Sequence, residues 1–189
     1  AQVVTRAVPG EMGALIRLQG CEGCRIERVD LSGTPGGKGG ASTNWSGLGG
    51  PGGASVGLLL DGCASAVVVD ATVHDLTGGP AGAPGKGSTG GDAYGIYARE
   101  DSTATVGGVR IRGVNGSSAT ADYSSSSSTH RGGHAYGLRV DSGASLTVDH
   151  VLITDLRPGS GIRGNTTARA SAIHAQGAGV VDIEHLTCH

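Results

Sequence analysis

The sequence predicts an all-β chain wound into a right-handed parallel β-helix, a solenoid of about five coils with long Gly-rich loops at one corner. Three observations predict it. A unit of about 19 residues recurs four times without a gap and a fifth time in shortened form. Within each unit the apolar positions fall in pairs at a spacing of two. Connectors of variable length, rich in Gly, Ser, Ala and Pro, always fall between the same two positions of the unit.

The units are residues 16–34, 58–76, 96–114 and 138–156, followed by 173–189. Their first position reads Ile16, Leu58, Ile96, Leu138, Ile173, and their third Leu18, Leu60, Ala98, Val140, Ala175. The ninth reads Cys24, Ala66, Ala104, Leu146, Val181, and the eleventh Ile26, Val68, Val106, Val148, Ile183. The fourteenth reads Val29, Ala71, Val109, Val151, Leu186, and the sixteenth Leu31, Val73, Ile111, Ile153, Cys188. A spacing of two is the strand period, so each unit carries three short strands with one apolar face. One such unit cannot bury that face. Stacked units bury it against each other, like residue over like residue.

The connectors 35–57, 77–95 and 115–137 have the composition of flexible linkers. Because they leave every coil at one corner, they are expected to pack side by side on one flank. Three of them end alike, in Gly52-Gly53-Ala54-Ser55-Val56-Gly57, Gly90-Gly91-Asp92-Ala93-Tyr94-Gly95 and Gly132-Gly133-His134-Ala135-Tyr136-Gly137. These endings read as a fixed turn in which Gly supplies positive φ. The whole chain, 1–189, reads as a single domain, with 1–13 a partial coil or lead-in and 14–189 the coils.

Composition narrows the function. Fourteen Lys and Arg against sixteen Asp and Glu leave no basic footprint for nucleic acid. No apolar run reaches the ~18 residues of a membrane span. Gly, at 37 residues, stands at roughly three times its usual share, and Phe is absent. No cofactor motif is visible.

The repeat resembles the bacterial right-handed parallel β-helix repeat proteins of the pectate-lyase-like superfamily. Residues 137–148, reading Gly-Leu-Arg-Val-Asp-Ser-Gly-Ala-Ser-Leu-Thr-Val, carry the likeness most clearly. The resemblance implies a secreted or cell-surface protein. That superfamily holds polysaccharide lyases, glycoside hydrolases, tailspikes and adhesins, so fold alone does not choose a function. The motifs of its enzymes are missing, and Arg157-Pro158 is only a fragment of the lyase pattern. The expectation is a non-catalytic structural or adhesive module presenting Gly-rich loops. Its expected partners are a glycan or cell-surface ligand and, through the β-helix ends, copies of itself, as in a filament. The alternative is a carbohydrate-active β-helix fragment.

No catalytic residue is assigned. The nearest candidates are Asp149 and Glu184, in Asp149-His150 stacked over Glu184-His185. Neighbouring coils are about 4.8 Å apart, close enough for two carboxylates to share a proton or, with Asp182, to hold a cation. Tyr94, Tyr97 and Tyr136 gather where the connectors return, and Trp45 in the first connector joins them as a candidate ligand contact. Strict alternation gives Tyr94 and Tyr136 an inward direction, filling a corner. Among the cysteines, Cys21 and Cys63 occupy the same position of adjacent coils, so Cys21–Cys63 is the expected disulfide, with Cys21–Cys24 the alternative.

Overall fold

The computed structural model describes residues 9–33, 36–40, 49–82, 88–120, 130–141, 143–162, 168–177 and 179–189. The first coil holds β1 (Gly13–Gln19), β2 (Arg25–Glu27) and β3 (Asp30–Gly33). The second holds β4 (Ser55–Asp61), β5 (Ala66–Val69) and β6 (Thr72–Thr77). The third holds β7 (Ala93–Arg99), β8 (Thr103–Gly107) and β9 (Arg110–Asn115), and the fourth β10 (Ala135–Val140), β11 (Ser145–Asp149) and β12 (Val151–Arg157). The fifth holds β13 (Ala170–Ala175), β14 (Val180–Ile183) and β15 (Leu186–Cys188). They form three five-stranded sheets, β1-β4-β7-β10-β13, β2-β5-β8-β11-β14 and β3-β6-β9-β12-β15, parallel throughout. The chain is a parallel β-helix of five coils.

Registers follow the repeat columns. Leu58 pairs with Ile96 and Ile96 with Leu138; Val68 pairs with Val106 and Val106 with Val148; Val73 pairs with Ile111 and Ile111 with Ile153. All nine are buried in one apolar cluster that runs along the axis. The corner between the second and third strands is turned by residues in the left-handed region: Arg28, Asp70, Gly108 and His150, with φ of 52–62°. A short polar residue or Gly tolerates that conformation best. At Arg28 and His150 the stacked coils hold it instead.

The described parts of the connectors are bonded to one another. The Gly37 amide donates to the Glu11 carbonyl, Gly53 to Gly37, Gly79 to Gly53, Gly91 to Gly79, Ser117 to Gly91, Gly133 to Ser117 and Gly159 to Gly133, all at 2.8–3.0 Å. Three residues later in the outgoing segments and three earlier in the returning ones the pattern recurs: Gly50 to Gly40, Gly82 to Gly50, Thr120 to Ser88 and Ile162 to His130. A three-residue repeat without internal hydrogen bonds is that of a polyproline-II-type chain, whose amides and carbonyls are free to bond sideways. Outgoing segments thus bond to returning ones, coil after coil, in a slab along one flank.

This corrects the expected role of the paired glycines. Gly52, Gly53, Gly90, Gly91, Gly132 and Gly133 do not have positive φ. They are glycines because backbones touch there. A Cβ on Gly91 would overlap the Gly53 carbonyl and stand 2.8 Å from Gly79 N. Collagen needs Gly at its crowded axis for the same reason.

The disulfide is also corrected. Cys21 is bonded to Cys24, not to Cys63, with Cα atoms 6.0 Å apart. The Glu22–Ala64 bridge does set Cys21 beside Cys63 in register. Spacing permits that pair, but side-chain direction decides. Cys63 points into the core and is fully buried, and its amide is held by Ser102 Oγ at 3.1 Å. Gly23, at φ 65°, folds the first corner so that Cys24 comes back to Cys21. Cys63 and Cys188 are free thiols.

Candidate functional site

The most elaborate side-chain cluster lies on the outer face of the first sheet. Alternation along these strands is not strict. Ala93, Ile96 and Ala98 face the core, whereas Tyr94 and Tyr97 belong to a second apolar cluster outside it. Gly95 sits where the phase slips. A Cβ there would also point inward, 2.7 Å from Ile111 Cγ2. Gly57 and Gly137 occupy the same place in their coils and face Val73 and Ile153. Two successive inward residues, the first necessarily Gly, turn the preceding residue outward. The inward direction expected for Tyr94 and Tyr136 is therefore wrong: both lie on the outer face. A small residue (Ser55, Ala93 or Ala135) before each connector's last Val or Tyr, with Gly after it, is the sequence signal of this slip.

Val56, Leu59, Tyr94, Tyr97 and Tyr136 form this outer cluster, with Ala14 and Ala54 against it. Tyr94 and Tyr136 are register partners with parallel rings, centroids 5.8 Å apart. Arg139, the register partner of Tyr97, lies over the cluster, 5.0 Å from the Tyr94 ring and 5.2 Å from the Tyr97 ring. Its guanidinium donates to Asp141 Oδ1 at 2.9 Å, the Tyr94 hydroxyl at 2.9 Å and Gln176 Oε1 at 3.1 Å. The Tyr97 hydroxyl donates to Asp141 Oδ2 at 2.5 Å, and the Tyr94 hydroxyl to Asp92 Oδ2 at 2.8 Å. Asp92 Oδ1 accepts from the His134 amide and from Arg131. One coil below, Asp61 is only 3% exposed and is held by both Arg17 and Arg99.

The electrostatics follow from this packing. Burial pushes the Asp92 and Asp141 carboxyls up, but their hydrogen bonds outweigh it and hold both below the usual carboxylate range. For Asp92 those come from the His134 amide, Tyr94 and Arg131; for Asp141, from Arg139 and Tyr97. Burial, followed by the bond to Asp141, pushes the Tyr97 hydroxyl up to about 12. Burial, then the Asp92 charge, pushes Tyr94 up as well. The phenols therefore act as donors, and the carboxylates as charged acceptors. Burial lowers the pKa of His134, whose Nδ1 accepts from the Arg169 amide at 2.9 Å.

Tyr94, Tyr97 and Tyr136 are 5%, 8% and 4% exposed, so their faces form a floor rather than an open platform. The open part is polar. A concavity of about 600 Å³ is lined by Asp92, Arg131, His134, Tyr136, Arg139, Arg169, His174 and Gln176. His174 stacks on Tyr136 at 4.6 Å. Arg131 and Arg139 are paired with Asp92 and Asp141, while the Arg169 side chain has no ion pair among the described residues. The balance in the concavity is positive. Of these residues only Tyr136 is a ligand contact expected from the sequence. Trp45 lies outside the described residues.

The second candidate lies on the corner after the second strand. Val148 pairs with Ile183, which stacks Asp149 beside Glu184. The Asp149 carboxylate is engaged elsewhere: its Oδ1 is 2.6 Å from His150 Nδ1 and 2.8 Å from His185 Nδ1. The two imidazoles stack at 4.5 Å. The hydrogen bonds from His150, then from His185, hold the Asp149 carboxyl below its usual range. Asp182 and Glu184 are exposed and join neither histidine. The structure thus assembles one carboxylate with two imidazoles, not the expected cluster of carboxylates.

Fold and faces together define a parallel β-solenoid with a glycine slab on one flank and a polar, cation-rich concavity on an outer sheet face. No protein-family model, curated protein or solved structure matches the chain. No helix among the described residues is long and apolar enough to cross a membrane.

Proposed function

We propose that this protein is a non-catalytic structural or adhesive module of the secreted or cell-surface type, and that it binds an acidic glycan on the outer face of the first sheet. The observation that carries the reading is the concavity over Tyr136, lined by Arg131, Arg139, Arg169, His134, His174 and Gln176. Guanidinium groups pair with carboxylates through two parallel hydrogen bonds. His174, partly exposed and stacked on the buried Tyr136, offers its ring to a sugar. Arg139 is pinned by Asp141, Tyr94 and Gln176, so little side-chain freedom is lost on binding. The pectate-lyase-like resemblance is part of this proposal, as is end-on association of coils.

Calorimetry with polygalacturonate and alginate, against neutral dextran, tests the reading. The acidic polymers should bind, dextran should not, and Arg169→Ala with His174→Ala should abolish the signal. Equal binding of dextran, or binding unchanged in that variant, overturns it. Release of new reducing ends or unsaturated sugars would turn the reading to the enzyme.

A further inference from the structure

We propose that Asp149, His150 and His185 form a binding site for a divalent transition-metal ion of the zinc class, set where the equivalent corners of the last two coils stack. This site lies on the second sheet and is independent of the glycan reading.

The coil geometry builds it. Asp149 ends β11, and His150 follows in the left-handed corner conformation with φ 52°. His185 occupies the same corner one coil on, 36 residues from Asp149 in sequence. Stacking of equivalent corners brings the two imidazoles face to face at 4.5 Å and aims both Nδ1 atoms at one oxygen of Asp149. One ligand atom from each residue lies within 4.8 Å of the other two. Zn–N and Zn–O bonds of about 2.0–2.2 Å in tetrahedral geometry place ligand atoms roughly 3.3–3.6 Å apart. The carboxylate needs to open by less than about 1 Å, and its partly exposed side chain leaves room for that.

The donor set selects the metal. Two imidazoles and one carboxylate suit zinc, copper or nickel, whereas magnesium and calcium take oxygen ligands. Three protein ligands leave a fourth position to water. Because the ligands come from two coils, the ion bridges them. The outer coil gains most, since Val180 and Ile183 are the exposed large hydrophobics among the described strand residues.

The test is calorimetric titration of the full chain with zinc chloride, with thermal unfolding alongside. One equivalent is expected to bind with a dissociation constant on the order of micromolar, to be removed by EDTA and to raise the unfolding temperature. Magnesium should not compete. His185→Ala, at an exposed position, and Asp149→Asn, at a partly exposed one, should each weaken binding at least tenfold while keeping the far-ultraviolet spectrum. Cys188→Ser, His189→Ala and His174→Ala should leave it unchanged. Absence of saturable binding at about 100 µM zinc, or undiminished binding in His185→Ala, overturns the site.

Discussion

The amide of Gly79 donates to the carbonyl of Gly53 at 2.8 Å, joining connectors that belong to successive coils. Gly79→Ala would drive a methyl group into the Gly37 carbonyl, which is backbone and cannot swing aside. A loss of about 1–3 kcal/mol or more is expected, as for overpacking in a core. Gly20→Ala is the control. That site has φ 58° and open space around it, so only the left-handed conformation is penalised, by about 1–2 kcal/mol. Urea unfolding of both variants gives the comparison, and equal losses would remove the slab from the stability of the chain.

Val106 and Thr105 are neighbours on β8 that face opposite ways. Val106 is fully buried between Val68 and Val148, and Thr105 is exposed. Burial of such an aliphatic side chain contributes about 1.5–3 kcal/mol, and an unpaired carboxylate in its place costs far more. Val106→Asp is expected to abolish cooperative unfolding, and Thr105→Asp to shift the midpoint by less than about 0.5 kcal/mol. Circular dichroism against temperature reads both.

Those core columns were legible in the sequence because a period of two repeated at fixed register leaves one solution for what faces inward. The outer face of the first sheet was less so. The phase slip at Gly95 is a three-dimensional event: the Ile111 side chain occupies the space beside it, and Ile111 belongs to a different strand. The connectors read as linkers because composition carries no register, although glycines three apart, such as Gly36 with Gly39 and Gly79 with Gly82, were there to be counted. The Asp149–His150 and Glu184–His185 pairs were visible. Which member turns toward which depends on the corner conformation at His150, and spacing alone does not specify it.

The tyrosine cluster makes an alkaline prediction. The Tyr97 hydroxyl is raised to about 12, against ~10 in an unfolded chain. A raised value contributes stability that is fully present below pH ~10 and is lost as pH rises through about 12. Tyrosinate absorbance should show Tyr97 titrating late, and Tyr97→Phe should flatten the fall of the urea midpoint across that window. A normal titration of every tyrosine in the folded chain would contradict the buried network.

On the acid side the sign reverses. Asp92 and Asp141 have lowered values, so their contribution is complete above about pH 3.9 and disappears as pH falls through their folded values. Asp141→Asn should lower stability at neutral pH and make its decline below about pH 4 shallower. Urea midpoints measured across that range check both parts.

The cysteines give a direct count. In the folded chain Cys188 is exposed and should react with a thiol reagent, whereas buried Cys63 should react only after unfolding. Mass mapping without reduction should recover Cys21 linked to Cys24. The closed loop is so short that reduction should cost no more than about 2 kcal/mol. A Cys21–Cys63 peptide would refute the assignment.

The chain of backbone hydrogen bonds from Glu11 through Gly37, Gly53, Gly79, Gly91, Ser117 and Gly133 to Gly159 runs across the coils, parallel to the solenoid axis. A stack of sheets alone resists compression well and torsion poorly, since each coil can rotate a little on the next. Fastened along one side, successive coils lose that rotation, much as a keel stiffens a hull. A load applied along the axis is shared between strand ladders on three faces and the slab on the flank, so coils should part together under force rather than peel away one at a time.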